Sequence, residues 1–509
     1  MGLDSYAESE SLSFVTHAFA AMECDLRSYH SYPSALRREL TETRVLNRIR
    51  TEGDAVYTFI NLFQKIRNRT GVLAALNNIG WLSSDRAVRL FGGVVVSVTV
   101  ARYLGPSQFG LLNYGLAIFS LFNIVSNLGL DFLVVREVAV NEDCEPQILG
   151  TAFFMKAAAS VITTLAAIMA TMIIEPHNTL LLEIVALSSI AAISQAFDVI
   201  DFFFQARTQS RYTVMARTSV FVLASLARIV AVFLHVRLIA FAWIGALEIL
   251  FSEIALAASY IRFRKPLPRW KWHLPIAQSF LRESWPLLVS GIMIMVYMRT
   301  DQILLGKLAS KAVVGQYTVA IRLSEIWYSI PLVICASVMP QLLKSREASP
   351  ARYYARLQCL YESMFLLGAL VAVGTQFLGP LAVRLLFGRE FAPAAGILSV
   401  HIWTGVFVFM GVVSGQQIVQ EKISEFALYR TVAGAVVNII LNLLWIPRWG
   451  GMGSAMASLV AYSVAGYFAD AVSPRTRHIF RMKTRAYLHF WMLYRLLFHQ
   501  IQESAAEEV

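Results

Sequence analysis

Charge and cysteine are both scarce in this chain. Only 15% of its 509 residues are Asp, Glu, Lys or Arg, against 57% hydrophobic residues. That balance excludes the soluble multi-domain protein such a length otherwise predicts. The four cysteines, Cys24, Cys144, Cys335 and Cys359, show no CxxC spacing, so neither a zinc site nor a disulfide framework is predicted. GxxxxGK[ST], HExxH and GxSxG are all missing, and the nine histidines form no metal-like cluster. The GGMG at 450–453 lacks the lysine and strand context of a phosphate loop and reads as close packing or a tight turn. Nothing therefore points to ATP hydrolysis, to an enzyme or to a cofactor, and any pumping is expected to be secondary transport. The first 70 or so residues lack the apolar core and cleavage site of a signal peptide. Residues 1–76 read as a partly disordered cytoplasmic extension ending in an amphipathic helix near 59–66.

Long apolar runs are what the chain does have. Crossing a bilayer takes about 20 such residues. Runs of that kind lie near 80–101, 109–133, 150–174, 180–204, 212–235, 238–260, 284–306, 313–341, 357–378, 395–419, 427–447 and 451–472. The predicted fold is an all-α integral membrane protein of about twelve helices. Loops on the side of the N-terminus carry Arg207, Arg211, Arg262, Arg264, Lys265, Arg269, Lys271, Lys344, Arg346, Arg352 and Arg356. The opposite loops are poorer in basic residues, so the positive-inside rule places both termini in the cytoplasm. The surplus of positive charge, +11 overall, is then explained by orientation rather than by nucleic acid.

A basic, proline-bearing linker, RFRKPLPRWKWHLP at 262–275, divides the runs into two sets of six. We take 77–261 and 280–473 as the two bundles, 262–279 as a cytoplasmic linker and 474–509 as a cytoplasmic amphipathic tail. The arginines and aromatic residues of that tail suit a helix on an anionic leaflet, although a solvated tail fits equally. Residues 104–110 and 308–315 echo one another, each leading into the second run of its bundle, as in a duplicated transporter with its path between the halves.

Ionisable residues inside these runs mark candidate sites, because each costs at least about 2.5 kcal/mol at the bilayer centre unless it faces a partner or water. Arg86, Arg89, Arg228, Arg299 and Arg322 are expected to converge on one interior, where a guanidinium fork suits phosphate. The bland alternatives are that Arg86 snorkels to the surface, that Asp85 neutralises Arg89, and that Arg322 pairs with Glu325. Asp198, Asp201 and Glu248 are candidates for ion coupling. Against that, the two aspartates fit the inner interface equally, and Glu248 fits as a partner for Arg228.

Three segments carry a resemblance: ARYLGPSQFGLLNYGLAIFSLFNIVSNLGLDFLVVREVA (101–139), YMRTDQILLGKLASKAVVGQYTVAIRLSEIWYSIP (297–331) and NIILNLLWIPRWGGMGSAMAS (438–458). Together they resemble the polysaccharide transporter family of oligosaccharide flippases, within the multidrug/oligosaccharidyl-lipid/polysaccharide exporter superfamily. The resemblance implies two six-helix bundles around a central cationic cavity. It also implies transfer of a polyprenyl-pyrophosphate-linked oligosaccharide across the cell inner membrane for surface polysaccharide, by alternating access. Its implied partners are that lipid-linked oligosaccharide, membrane lipids and polysaccharide polymerase machinery. By motif position it implies that Arg299, Asp301 and Arg322 line or brace the path, with Asp131, Arg136, Glu137 and Glu325 in gating or structural roles. A multidrug exporter of the same superfamily would favour an acidic, aromatic lining, and a membrane polymerase or glycosyltransferase would show a larger loop beside the membrane.

Overall fold

The structure is a computed structural model that describes residues 70–264, 269–423 and 425–489. The expected extension and its amphipathic helix at 59–66 lie outside the described residues, as does the tail beyond 489. Among the described residues every regular element is helical.

Among the described residues, ten segments are long and apolar enough to cross a membrane. Two of them are too long to cross only once. Thr70–Ser126 has 57 residues, about 85 Å of helix at 1.5 Å per residue, against a hydrocarbon core of about 30 Å. It breaks at Gly105, whose φ of 68° lies in the left-handed region and whose neighbour Pro106 cannot donate to a continuing helix. The segment Glu425–Val472 breaks in the same way at Gly450, φ 54°, three residues after Pro447. Beyond that break the chain folds back, so that a Cβ on Gly453 would lie 2.5 Å from the Trp445 carbonyl oxygen.

Counting each broken segment as two gives twelve crossings. The first and second are 70–104 and 106–126, the latter continued by Asp131–Val140. The third to tenth are Glu145–Ile174, Thr179–Ala206, Arg211–Phe233, Leu238–Phe263, Leu274–Leu308, Lys311–Arg346, Pro350–Phe387 and Pro393–Gln420. The eleventh and twelfth are 425–449 and 451–472. Side chains such as Ile173 (78% exposed), Phe233 (76%) and Phe377 (78%) face outward, a surface that only hydrocarbon satisfies. The protein is a multi-pass, all-α membrane protein.

The two echoing segments meet at the end opposite the basic loops. A Cβ on Gly110 would overlap the Lys311 carbonyl, and one on Gly315 would overlap the Pro106 carbonyl. The second and eighth crossings therefore touch backbone to backbone, in a reciprocal contact of the kind a two-fold relation generates. Near the basic end, Arg136 of the second crossing's extension holds Glu283 of the seventh at 2.7 Å.

The described part of the tail departs from a helix resting wholly on a leaflet. Residues 477–489 are helical, but Ile479 and Lys483 are fully buried against the protein. Lys483 Nζ donates to Asp470 at 2.6 Å, to Ser414 at 2.9 Å and to the Gly466 carbonyl at 2.7 Å. Gly466 sits in a π-helical turn, Val464–Phe468, where the wider spacing frees a carbonyl for such a donor. Burial pushes the Lys483 ammonium down to about 8, although Asp470 opposes the shift. Arg477, Arg481 and Arg485 stay exposed.

Candidate functional site

A cavity of about 620 Å³ lies inside the bundle, lined by Arg89, Arg217, Arg228 and Arg322 and by Asp85, Asp198, Glu248 and Glu253. All but one of its lining residues come from crossings one to six. The exception is Arg322, from the eighth. Arg322 is 11 residues into its helix, about 16 Å, or half the thickness of the hydrocarbon core.

Three of the four arginines already hold carboxylates. Arg89 pairs with Asp85 at 2.9 Å, one turn apart, and Thr218 donates to the same carboxylate at 2.5 Å. Arg228 pairs with Glu248 at 2.6 Å, with both side chains less than one-fifth exposed. Arg217 contacts Asp198 closely, Glu253 at 3.4 Å and Asp201 at 3.5 Å. Arg322 differs. Among the described residues its hydrogen-bond partner is the side-chain carbonyl of Asn113 at 3.0 Å, and its guanidinium lies 5.7 Å from the Phe109 ring. Glu325, placed as its alternative partner by sequence, forms no ion pair with it. The guanidinium faces open cavity with no carboxylate in salt-bridge contact; Glu325, which lines the neighbouring 330 Å³ cavity with it, attracts it from farther off.

The expectation of five converging arginines needs correcting. Arg89, Arg228 and Arg322 share the cavity, whereas Arg86 is exposed on the first crossing and outside it. Arg299 is half-buried, lines neither this cavity nor the 330 Å³ cavity beside it, and leaves its Nε without a partner. The chamber is also less cationic than the resemblance implies, since four guanidiniums face four carboxylates.

Sequence reading passed over Lys156 and Arg217, which organise the acidic side. Lys156, 1% exposed, donates to Asp198 and to Asn127, each at 3.1 Å. Lys156 and Arg217 thus share three carboxylates, Asp198, Asp201 and Glu253. Glu253 Oε2 is buried without a partner, and the cluster sets three carboxyl groups against two cations. The rule that singled out Arg228, an ionisable group inside an apolar run, selects Lys156 and Arg217 as well. Asp198 and Asp201 therefore sit in a buried ion-pair cluster, and Glu248 is the partner of Arg228.

The remaining residues lie elsewhere. Asp301 is buried within the second half, accepting from Tyr317 at 2.5 Å, Ser458 at 2.6 Å and Asn442 at 2.8 Å. It braces the seventh, eighth, eleventh and twelfth crossings and does not line the cavity. Asp131 is exposed at the start of its helix. Arg136 holds Glu137 at 2.9 Å as well as Glu283.

Comparison with known proteins places this architecture. The fold is shared with a solved structure titled "Lipid II flippase MurJ, inward closed conformation", at TM-score 0.62 and 12% identity over 81% of this chain and 92% of that one. It is also shared with an inward-facing multidrug resistance MATE family transporter of the MOP superfamily, at TM-score 0.59 and 13% identity over 80% and 99%. Among curated proteins, "Probable flippase AglR" of Haloferax volcanii is 27% identical over 208 residues, 39% of this chain and 41% of that protein. The match thus spans about two fifths of that relative's length. Residues 75–346, more than half of the chain, match the family described as "Polysaccharide biosynthesis protein". The chain belongs to the polysaccharide biosynthesis protein family.

Proposed function

We propose that the protein is a flippase for lipid-linked oligosaccharide, moving a polyprenyl-pyrophosphate headgroup with its sugars between leaflets by alternating access. The observation that carries the reading is Arg322, a guanidinium at mid-depth that faces a cavity with no carboxylate in salt-bridge contact. Such a group binds phosphate oxygens through a planar, permanently charged fork. Arg228, Arg217 and Arg89 surround the same space, each with a carboxylate as resident counter-ion. A pyrophosphate docking on Arg322 competes with Glu248 for Arg228, so binding and carboxylate release are linked. The relative named as a flippase and the family match support the same substrate class.

The basic loops mark the cytoplasmic side, with both chain ends there, in the cell inner membrane. In that orientation the Gly110–Gly315 seam closes the outer end, and a polysaccharide polymerase would receive the transferred unit. The multidrug exporter reading shares the fold, but Arg322, with no carboxylate in contact, favours an anionic headgroup over a cationic drug. Asp198, Asp201 and Glu248 remain the proposed coupling groups, joined by Glu253. The test is deletion of the protein in a strain without a redundant transporter, followed by leaflet-specific labelling of lipid-linked oligosaccharide. Loss of the outer-leaflet signal is expected, and normal externalisation overturns the assignment.

A further inference from the structure

The eighth and ninth crossings leave a second groove, of about 650 Å³, between them. It shares no lining residue with the central cavity. Its chemistry is graded along its length. Gln341 and Arg356 line the end near the loop joining the two helices, five residues before Arg346 and six after Pro350. Ile334, Leu366 and Leu370 line the other end, with Leu366 37% and Leu370 59% exposed. From Arg356 to Leu370 is 14 residues, about 21 Å of helix, half of a bilayer of about 40–45 Å counted with its headgroups. The groove therefore runs from one membrane surface to about the midplane, polar at the surface and apolar below, which is the layout of one lipid in one leaflet.

Arg356 is exposed, and among the described residues it has no carboxylate or hydrogen-bond partner. Arg346 of the same loop is engaged instead, with the Gln420 carbonyl at 3.2 Å and the Tyr353 ring. A free guanidinium at the mouth of an apolar groove complements a phosphodiester bearing an acyl chain. The groove's polar end is also far from the chamber, since Gln341 follows Arg322 by 19 residues, about 28 Å along the eighth crossing. A headgroup held at Arg356 is thus separate from one held at Arg322.

We propose that this groove binds a single anionic phospholipid of the leaflet beside the 346–350 loop, with its phosphate on Arg356 and an acyl chain along the seam between the eighth and ninth crossings. Cys359, exposed and lining the groove one turn below Arg356, provides a reporter.

The test uses the full chain with Cys24→Ser and Cys144→Ser, in nanodiscs of phosphatidylcholine with or without phosphatidylglycerol. Phosphatidylglycerol is expected to slow maleimide labelling of Cys359, and native mass spectrometry is expected to show one phosphatidylglycerol retained per chain. Arg356→Gln is expected to weaken both effects about fivefold, one cation's share of attraction to anionic lipid. Arg352→Gln, on the same helix but outside the groove, leaves them unchanged. Equal protection by phosphatidylcholine, an equal loss in Arg352→Gln, or protection by polyprenyl phosphate alone would each overturn the proposal. The wild-type lipid comparison decides the matter even if Arg356→Gln misfolds.

Discussion

Replacing Arg228 by alanine strands Glu248 in a site where both side chains are less than one-fifth exposed. Breaking one partner of a buried ion pair typically costs about 3–5 kcal/mol, because the surviving charge is left uncompensated. The wet cavity reduces that here, and about 2–3 kcal/mol is expected. A loss of transport in Arg228→Ala alone would then be ambiguous between instability and a missing phosphate ligand. The double variant Arg228→Met/Glu248→Met resolves the two. Removing both charges at similar volume restores stability to near wild type, yet leaves the chamber without one of its phosphate-matching forks. Thermal unfolding in detergent should show a lowered midpoint for the single variant and recovery in the double. Leaflet-specific labelling should show transport lost in both. A double variant that transports normally would show that the pair is only a brace, and the argument from cavity guanidiniums to an anionic headgroup would fail at this residue.

Three further outcomes follow from the geometry. Gly110→Val places carbon atoms on the Lys311 backbone and should destabilise the observed closure by about 1–3 kcal/mol, read as faster labelling of cysteines introduced at the loops opposite the basic end; unchanged labelling would refute the seam. Glu253→Gln removes the third carboxyl group of the Lys156/Arg217 cluster and should abolish any dependence of transport on an imposed pH gradient, and retained dependence would remove Glu253 from the coupling groups. The third concerns the tail helix, where hydrogen bonding to Glu421 raises the His478 imidazole above its usual value, while His478 and Gln417 hold Glu421 below its own despite burial. A raised histidine stabilises fully below its unfolded value near 6.5, and that contribution is lost as pH climbs through the raised one. Hydrogen exchange in 477–489 should therefore protect less at pH 8 than at pH 6 once intrinsic exchange rates are corrected, and His478→Ala should flatten the difference.

The crossings were legible because a membrane imposes a coarse rule, about 20 apolar residues each, and all twelve expected runs fall on helices. Even the two breaks had a local signal, a glycine next to proline at Gly105 and a glycine three residues after Pro447 at Gly450. Partnership was legible only in part: Asp85 for Arg89 and Glu248 for Arg228 stood among the alternatives, whereas Lys156 with Asp198, 42 residues apart, and Arg322 with Asn113, 209 apart, did not. No spacing rule links such pairs, because helix packing decides them. Arg299 and Arg322 illustrate the limit: both are arginines inside apolar runs, and only helix rotation sends one into the chamber and leaves the other outside. Arg217 and Lys156 met the same criterion as Arg228, so in their case the signal was present and unused.

One asymmetry in the chamber has a mechanical consequence. Its carboxylates and three of its guanidiniums belong to the first half, and the second half lends it Arg322 alone. On the flippase reading, a stroke that parts the halves would withdraw that single guanidinium and leave three facing four carboxyl groups. Grip on an anion would then be tied to the stroke itself, tighter while the halves are together and weaker once they separate, so the motion that exposes the cargo would also help unload it.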